Sequence, residues 1–236
     1  ERHRGPLREG ERVQIRDPKG RLHTVILVSG GRFQSNRGFI DHDDLIGRPD
    51  GQVVTTEEGR QFQILRPLQV DYVMSMPRGA AVVYPKDAGT IVHYADIFPG
   101  AVVVEAGAGS GALSMALLDA VGERGRLISV ERREEFAQIA RDNVELWFGA
   151  PHPAWDLRVN DLADELSAMP ASSVDRVVLD MLAPWENLDA VAHALVPGGV
   201  LCCYIATVTQ MSRLIEDLRS SENFTDPVAW ETLSRE

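Results

Sequence analysis

Ala101-Val102-Val103-Val104-Glu105-Ala106-Gly107-Ala108-Gly109-Ser110-Gly111 is the stretch whose reading decides the fold of this 236-residue chain. Its apolar opening, Ala101 to Val104, reads as a strand buried on both faces. The glycines at alternate positions let the backbone turn tightly and come close to a ligand. Ala112 to Val121 then continues as a helix. Strand, glycine loop and helix in that order suit a nucleotide cofactor, although a lone G-x-G is a weak signal. Two details narrow it. The spacing is G-x-G-x-G and not the G-x-G-x-x-G of dinucleotide sites. Glu105 ends the strand, where a carboxylate would repel a pyrophosphate but could accept hydrogen bonds from an ammonium group. The methionine part of S-adenosylmethionine carries such an ammonium.

Downstream, the pattern repeats. Strands are predicted at Arg126 to Val130, Leu157 to Val159, Val174 to Leu179 and Val200 to Ile205, the last entered through Pro197-Gly198-Gly199. Helices are predicted at Arg133 to Phe148, from roughly Trp185 to Leu195, and at Thr209 to Leu218. Apolar strands alternating with helices predict a mostly parallel sheet covered on both faces, a Rossmann-like α/β domain over 99–236. An acid follows two more of these strands. Glu131 lies about twenty residues past the loop, the distance of one crossover helix, and suits both hydroxyls of a ribose. Asp161 suits the exocyclic amine of an adenine, with the Leu162 amide facing a ring nitrogen. Each acid alone is more often a surface charge; three at successive strand ends on the ligand-binding edge point to one site.

Upstream, short alternating runs at Arg12 to Ile15, Leu22 to Val28, Gln52 to Thr55 and Gln61 to Leu65 predict a small antiparallel β domain over 1–66. Gly30-Gly31 and Glu58-Gly59 supply its turns. Residues 67–98 read as a connector packing on the core domain, with a helix beginning at Pro85.

Composition sets the outer bounds. Hydrophobic residues make up 44% and charged residues 25%, a globular profile. No apolar run is long enough to span a membrane. The opening ERHRGPLREG does not read as a secretory signal. Cys202 and Cys203 are adjacent, so a disulfide between them or a metal site is not expected, and a reducing, cytoplasmic setting fits. The net charge of −11 is uneven. Residues 1–86 hold 14 Lys+Arg against 11 Asp+Glu, a net of +3, and residues 87–236 hold 10 against 24, a net of −14. A polyanion would meet the N-terminal part more favourably. His42, His93, His152 and His193 pair with no nucleophile or metal motif. Ser110 is not in a G-x-S-x-G elbow, so hydrolase chemistry is unsupported.

Several strings carry a more specific resemblance. They are Tyr84-Pro85-Lys86-Asp87-Ala88, the loop Glu105 to Gly111, Leu179-Asp180 with Pro184-Trp185, Thr207-Val208-Thr209-Gln210, and Arg66-Pro67 with Asp71-Tyr72 and Met76. With a small β domain ahead of the core, the chain resembles the tRNA (adenine-58-N1) methyltransferases of bacteria and archaea, in flavour the actinobacterial members. The resemblance covers most of the chain. It implies a homotetramer that methylates N1 of an adenosine in the tRNA T-loop, using S-adenosylmethionine, releasing S-adenosylhomocysteine and needing no metal. Asp180 is implied as the catalytic group that positions the adenine beside the cofactor. The cofactor would be held by Glu105, Gly107, Ala108, Gly109, Ser110, Gly111, Glu131, Asp161, Leu162 and Asp180. Tyr84, Trp185 and Gln210 would face the substrate, with core packing an equal reading for Trp185. Phe136 stands where the family often has a histidine; it can pack on adenine but cannot hydrogen-bond. Family chains run past a Trp230-Glu231 strand into a final hairpin, so further strands beyond Glu236 are implied. The competing readings are a methyltransferase acting on an isoaspartyl residue or another RNA, a nicotinamide oxidoreductase, and a non-catalytic tRNA-binding subunit. The loop spacing and Glu105 count against the second, and the retained loop with Asp180 counts against the third.

Overall fold

A computed structural model describes residues 4–235. The chain divides into two compact units, one up to Met76 together with Phe148–Ala150, the other comprising Pro77–Trp147 and the chain from Pro151 onward.

In the first unit, β1 (Arg12–Arg16), β2 (Leu22–Ile26), β5 (Val53–Thr55) and β6 (Gln61–Leu65) form an antiparallel sheet in the order β2-β1-β6-β5. Val13 and Ile15 point from β1 into a core with Leu7, Leu27, Phe33, Ile40, Leu45, Phe62 and Ile64. Each such side chain contributes about 1.5–3 kcal/mol by leaving water. A second hairpin, β3 (Arg32–Ser35) with β4 (Gly38–Asp41), was not predicted from sequence. Its placement is tertiary: Arg37 in its turn donates to Asp17 Oδ2 at 3.1 Å, and Asp17 also accepts from the Lys19 and Arg21 amides of the β1–β2 turn. His42 packs here, its Nδ1 accepting from the Val28 amide at 3.1 Å. The connector expected over 67–98 is divided between the units. Its first part forms helix α1 (Gln69–Ser75) in the first unit, where the Arg12 guanidinium lies 4.9 Å from the centre of the Tyr72 ring and donates to the Ser75 carbonyl at 2.8 Å.

The second unit begins with α2 (Pro85–Tyr94), started by proline at its first position. Then follow β7 (Val102–Ala106), α3 (Ala112–Val121), β8 (Arg126–Glu131), α4 (Glu134–Phe148), β9 (Trp155–Val159), α5 (Leu162–Ala168), β10 (Val174–Leu179), α6 (Leu188–Ala194), β11 (Leu195–Cys203) and α7 (Val208–Ser220). The five strands are parallel, in the order β11-β10-β7-β8-β9. Val104, Ile128, Val130, Val177 and Leu179 fill the core on one face with Leu162, Leu166 and Val191. The chain moves outward from β7 through β8 to β9, then returns to pair β10 on the other side of β7. Such a reversal opens a crevice at the carboxyl ends of the two central strands.

Three local expectations change. Pro197-Gly198-Gly199 lies inside β11 and not before it: Val174 pairs with Leu195 and Arg176 with Val200, so the extra residues bulge out of the ladder. The helix expected from Trp185 is a 3-10 turn (Pro184–Asn187) leading into α6. Trp230-Glu231 is not a strand; Trp230 instead stacks on Tyr94 with ring centres 4.5 Å apart, and Lys86 donates to the Thr232 carbonyl at 2.9 Å. Cys202 and Cys203 are free thiols. Among the described residues, no helix is long and apolar enough to cross a membrane.

Candidate functional site

The loops after β7 and β10 meet at the strand-order reversal. Gly107 has φ 83°, its amide donates to the Val130 carbonyl at 3.0 Å, and a Cβ there would fall on the Asp180 carbonyl oxygen. The Asp180 amide in turn donates to the Ala106 carbonyl at 2.9 Å. Gly111 (φ 83°) is equally constrained, since a Cβ would lie 2.9 Å from Val144 Cγ2 and 3.1 Å from the Ala140 carbonyl of α4. The loop thus needs its glycines for close approach of backbone on one side and helix on the other.

Glu105 lies under this loop, fully buried. One oxygen accepts from the Ser114 hydroxyl at 2.6 Å and the Ser129 hydroxyl at 2.5 Å; the other, Oε1, is buried with no partner. Ser129 is itself fixed by the Trp155 indole N–H at 2.8 Å. Burial pushes the Glu105 carboxyl up to about 7; the two hydroxyls oppose this, and the nearby charges of Asp180 and Glu131 add to it. The consequence for stability has a definite sign. The folded state holds this proton up to about pH 7 and the unfolded chain only up to about 4.5, so stability falls as pH rises through that window. Glu105→Gln removes the slope. Urea midpoints should show wild type losing up to about 3 kcal/mol relative to the variant between about pH 5 and 8. Parallel curves would mean that Glu105 ionises without cost.

Glu131 ends β8, almost fully buried. Its oxygens accept from the Gly109 amide at 3.1 Å and from the Arg133 amide at 3.1 Å. The Arg133 side chain also reaches Oε1, its Nε 3.4 Å away, so Oε2 is the oxygen that keeps a further lone pair for a ligand hydroxyl. Phe136 carries the Arg133 guanidinium 3.6 Å from its ring centre, and Gly79 lies against it, where a Cβ would come within 2.7 Å of the ring. Asp161 caps α5, accepting from the Ala163 amide at 3.0 Å, with Arg132 Nε 3.6 Å from its second oxygen. Leu162 points its side chain into the core.

Ser110, expected among the cofactor-binding residues, is a buried junction. Its hydroxyl receives the Gly79 amide at 3.1 Å and the Ala80 amide at 3.4 Å. Its carbonyl accepts from the Asn143 side chain at 2.9 Å, and the same Asn143 amide group reaches the Pro77 carbonyl at 2.9 Å. Asn143 was missed, although a signal existed: it interrupts the apolar stripe Ala137, Ala140, Val144 and Trp147 of α4. Asn143→Ala leaves two carbonyls unsatisfied, so a loss of about 1–3 kcal/mol is expected, read in urea unfolding. A loss under about half a kcal/mol would show that the amide does not brace the loop.

Asp180 is half-buried, and its carboxylate makes no hydrogen bond or ion pair among the described residues. Burial pushes it up to about 6. Tyr84 caps α2 from an exposed position. Behind it Asp87 pairs with Lys86 at 2.7 Å and accepts from the Tyr204 hydroxyl at 3.2 Å; burial, with Asp87 and Asp180 close by, pushes that phenol up. Tyr204 went unnamed in the sequence because only the register of β11 brings it there. Trp185 packs with Leu188, Leu214 and Leu218 beneath the Arg213 guanidinium, 4.5 Å from its ring centre. Gln210 ties two loops together: its Nε2 donates to the Leu182 carbonyl at 3.0 Å and its Oε1 accepts from Thr207 at 3.0 Å. Glu131 is thus joined to the glycine loop by the Gly109 amide, Glu105 runs into the same loop along the chain, and Asp180 is seated directly on Gly107. No group of three or more His, Cys, Asp or Glu that could hold a metal occurs among the described residues.

Comparisons with known proteins converge. A family model described as TrmI-like N-terminal matches residues 5–54, and one described as tRNA methyltransferase complex GCD14 subunit matches residues 62–236. The tRNA (adenine(58)-N(1))-methyltransferase TrmI of Thermus thermophilus is 34% identical over 201 residues, 85% of this chain and 77% of that protein. The tRNA (adenine(57)-N(1)/adenine(58)-N(1))-methyltransferase TrmI of Methanocaldococcus jannaschii is 30% identical, over 87% of this chain and 79% of its own. Among solved structures, a SAM-dependent O-methyltransferase of Thermotoga maritima has a TM-score of 0.82 at 29% identity, covering 91% of this chain and 78% of that one. The tRNA (m1A58) methyltransferase TrmI of Aquifex aeolicus has a TM-score of 0.78 at 24% identity, covering 92% and 83%, a likeness of fold.

Proposed function

The chain belongs to the tRNA methyltransferase family described by the GCD14 subunit, and from that premise we propose that it methylates N1 of adenosine 58 in the T-loop of tRNA, with S-adenosylmethionine as donor. A shared fold alone does not choose the substrate, as the neighbour named an O-methyltransferase illustrates. The observation that carries the reading is Asp180: a half-buried carboxylate with no partner of its own, seated on the glycine loop at the strand-order reversal.

The residues present suit the donor. The buried, unpartnered Glu105 Oε1 is an acceptor for its ammonium, and Gly109, where a Cβ would meet nothing nearer than 3.8 Å, leaves the loop backbone open on that side. Glu131 would take the ribose hydroxyls, Asp161 and the Leu162 amide the adenine edge, and Phe136 the adenine face. When bound, the sulfonium supplies an electrophilic methyl group. The chain's own task is then alignment. N1 of neutral adenine has an in-plane lone pair, so no base need act before transfer. Asp180 accepts a hydrogen bond from the adenine N6 amine, holds the ring in plane, and stabilises the positive charge that develops on it. Tyr84 offers a face to the extruded base, and Gln210 fixes the loop that carries Asp180. The same reading includes a homotetramer working in the cytoplasm; its support is the family resemblance, and sedimentation tests it.

The direct test uses labelled S-adenosylmethionine with unmodified tRNA, followed by digestion to nucleosides. Label should appear in 1-methyladenosine. Label in protein or in a small molecule, with none in tRNA, would refute the substrate.

A further inference from the structure

Leu182 and Val208 are the two most exposed large apolar side chains in the second unit apart from Val228, at 80% and 76% of full exposure. Leu182 stands two residues past Asp180 on the loop after β10. Val208 opens α7, just after Thr207, whose hydroxyl caps that helix by accepting from the Gln210 amide at 3.2 Å. The two tips do not move independently. Gln210 bonds the Leu182 carbonyl with one end of its side chain and the Thr207 hydroxyl with the other. The result is a braced pair of apolar tips at the rim of the crevice, one of them on the segment that holds Asp180.

We propose that Leu182 and Val208 act as a wedge that takes the place of the target adenine in the RNA stack when the base is extruded. The inference rests on the RNA reading above. An enzyme acting on a ring nitrogen of a stacked base must take the base out, and the neighbours then lose their stacking partner. Apolar side chains inserted at such a step offset that loss, and they carry no donor or acceptor that would select a sequence. Hydrophilic tips would leave the unstacked faces to water. Two tips held at fixed separation fill the gap without first being ordered. A second copy of this chain is the other occupant that an exposed apolar pair admits, and the experiment separates it.

The probe is unmodified tRNA carrying 2-aminopurine in place of the base on the 3′ side of the target, whose fluorescence rises when its neighbour leaves the stack. The variants are Leu182→Ala with Val208→Ala together, and Leu182→Met. Both positions are exposed, so the fold should survive, checked by circular dichroism and by S-adenosylhomocysteine affinity. Wild type should raise the fluorescence on binding. The double variant should bind tRNA within a few fold of wild type, lose most of the fluorescence rise, and transfer methyl in single turnover roughly tenfold more slowly, because part of the cost of extrusion is no longer offset. Leu182→Met, still apolar and long, should keep both signals. A full rise and full rate in the double variant would overturn the wedge, as would a slower rate with the rise intact, which would make the tips loop braces. A change in sedimentation together with the rate loss would assign them to contact between copies and also overturn it. If wild type binds S-adenosylhomocysteine yet transfers no methyl to tRNA, the substrate reading fails, and not the wedge alone.

Discussion

Asp180→Ala is expected to lower methyl transfer to tRNA by about 10²–10³-fold, the scale of removing one preorganised electrostatic partner of a developing charge. The protein itself should not suffer. The carboxylate is half-buried, has no partner, and is held up to about 6 by desolvation, so its removal relieves a cost. Melting of the variant should therefore match or exceed wild type, and S-adenosylhomocysteine should still bind, measured by calorimetry. Lost cofactor affinity with an unchanged transfer step would reassign Asp180 to cofactor binding. The pH profile gives a second reading. If the ionised form works, kcat/KM of wild type should fall as pH drops through about 6 and be flat above it. Asp180→Asn keeps the shape but not the charge, so a variant as inactive as Ala would show that charge matters more than position.

Gly107→Ala is the second large effect, and it acts through backbone. The residue has φ 83°, where an L side chain costs roughly 1–2 kcal/mol. The new methyl would also collide with the Asp180 carbonyl, a main-chain atom of a residue whose amide is tied to the Ala106 carbonyl at 2.9 Å. The expected loss is on the order of 3–4 kcal/mol, with cofactor binding and transfer lost together. Gly109→Ala is the control. It too has a positive φ, 54°, but its nearest neighbours would lie 3.8 Å away, so only the conformational cost of about 1–2 kcal/mol applies. Equal urea midpoints for the two variants would show that the contact with Asp180 yields easily.

What the sequence disclosed and what it hid divide along physical lines. The run Ala101 to Gly111 announced β7, the loop and α3, because a strand buried on both faces and a glycine turn are both local patterns. Val174 to Leu179 was legible for the same reason. The hairpin β3–β4 was not, since the bond from Arg37 to Asp17 that seats it joins residues far apart in the chain. Pro197-Gly198-Gly199 reads as a turn from composition, yet the parallel pairing of β10 with β11 absorbs it as a bulge. At the site, the acids Glu105, Glu131 and Asp161 could be placed by their position after strands. Their partners could not: Ser114 and Ser129 reach Glu105 from α3 and β8, and Asn143 reaches the loop from α4. Asp161 also turned out to cap α5, a duty that explains an aspartate there with or without a ligand.

The Ser110 junction has a thermodynamic consequence. One hydroxyl holds the two amides at Gly79 and Ala80, and one asparagine spans Pro77 and the loop, so the glycine loop and the segment leading to Tyr84 are tied by four hydrogen bonds. A ligand that stills either part prepares the other. Linkage then requires that the donor tighten tRNA by the same factor by which tRNA tightens the donor, and that amide exchange slow at residues 79–80 when only the nucleoside half of the site is filled.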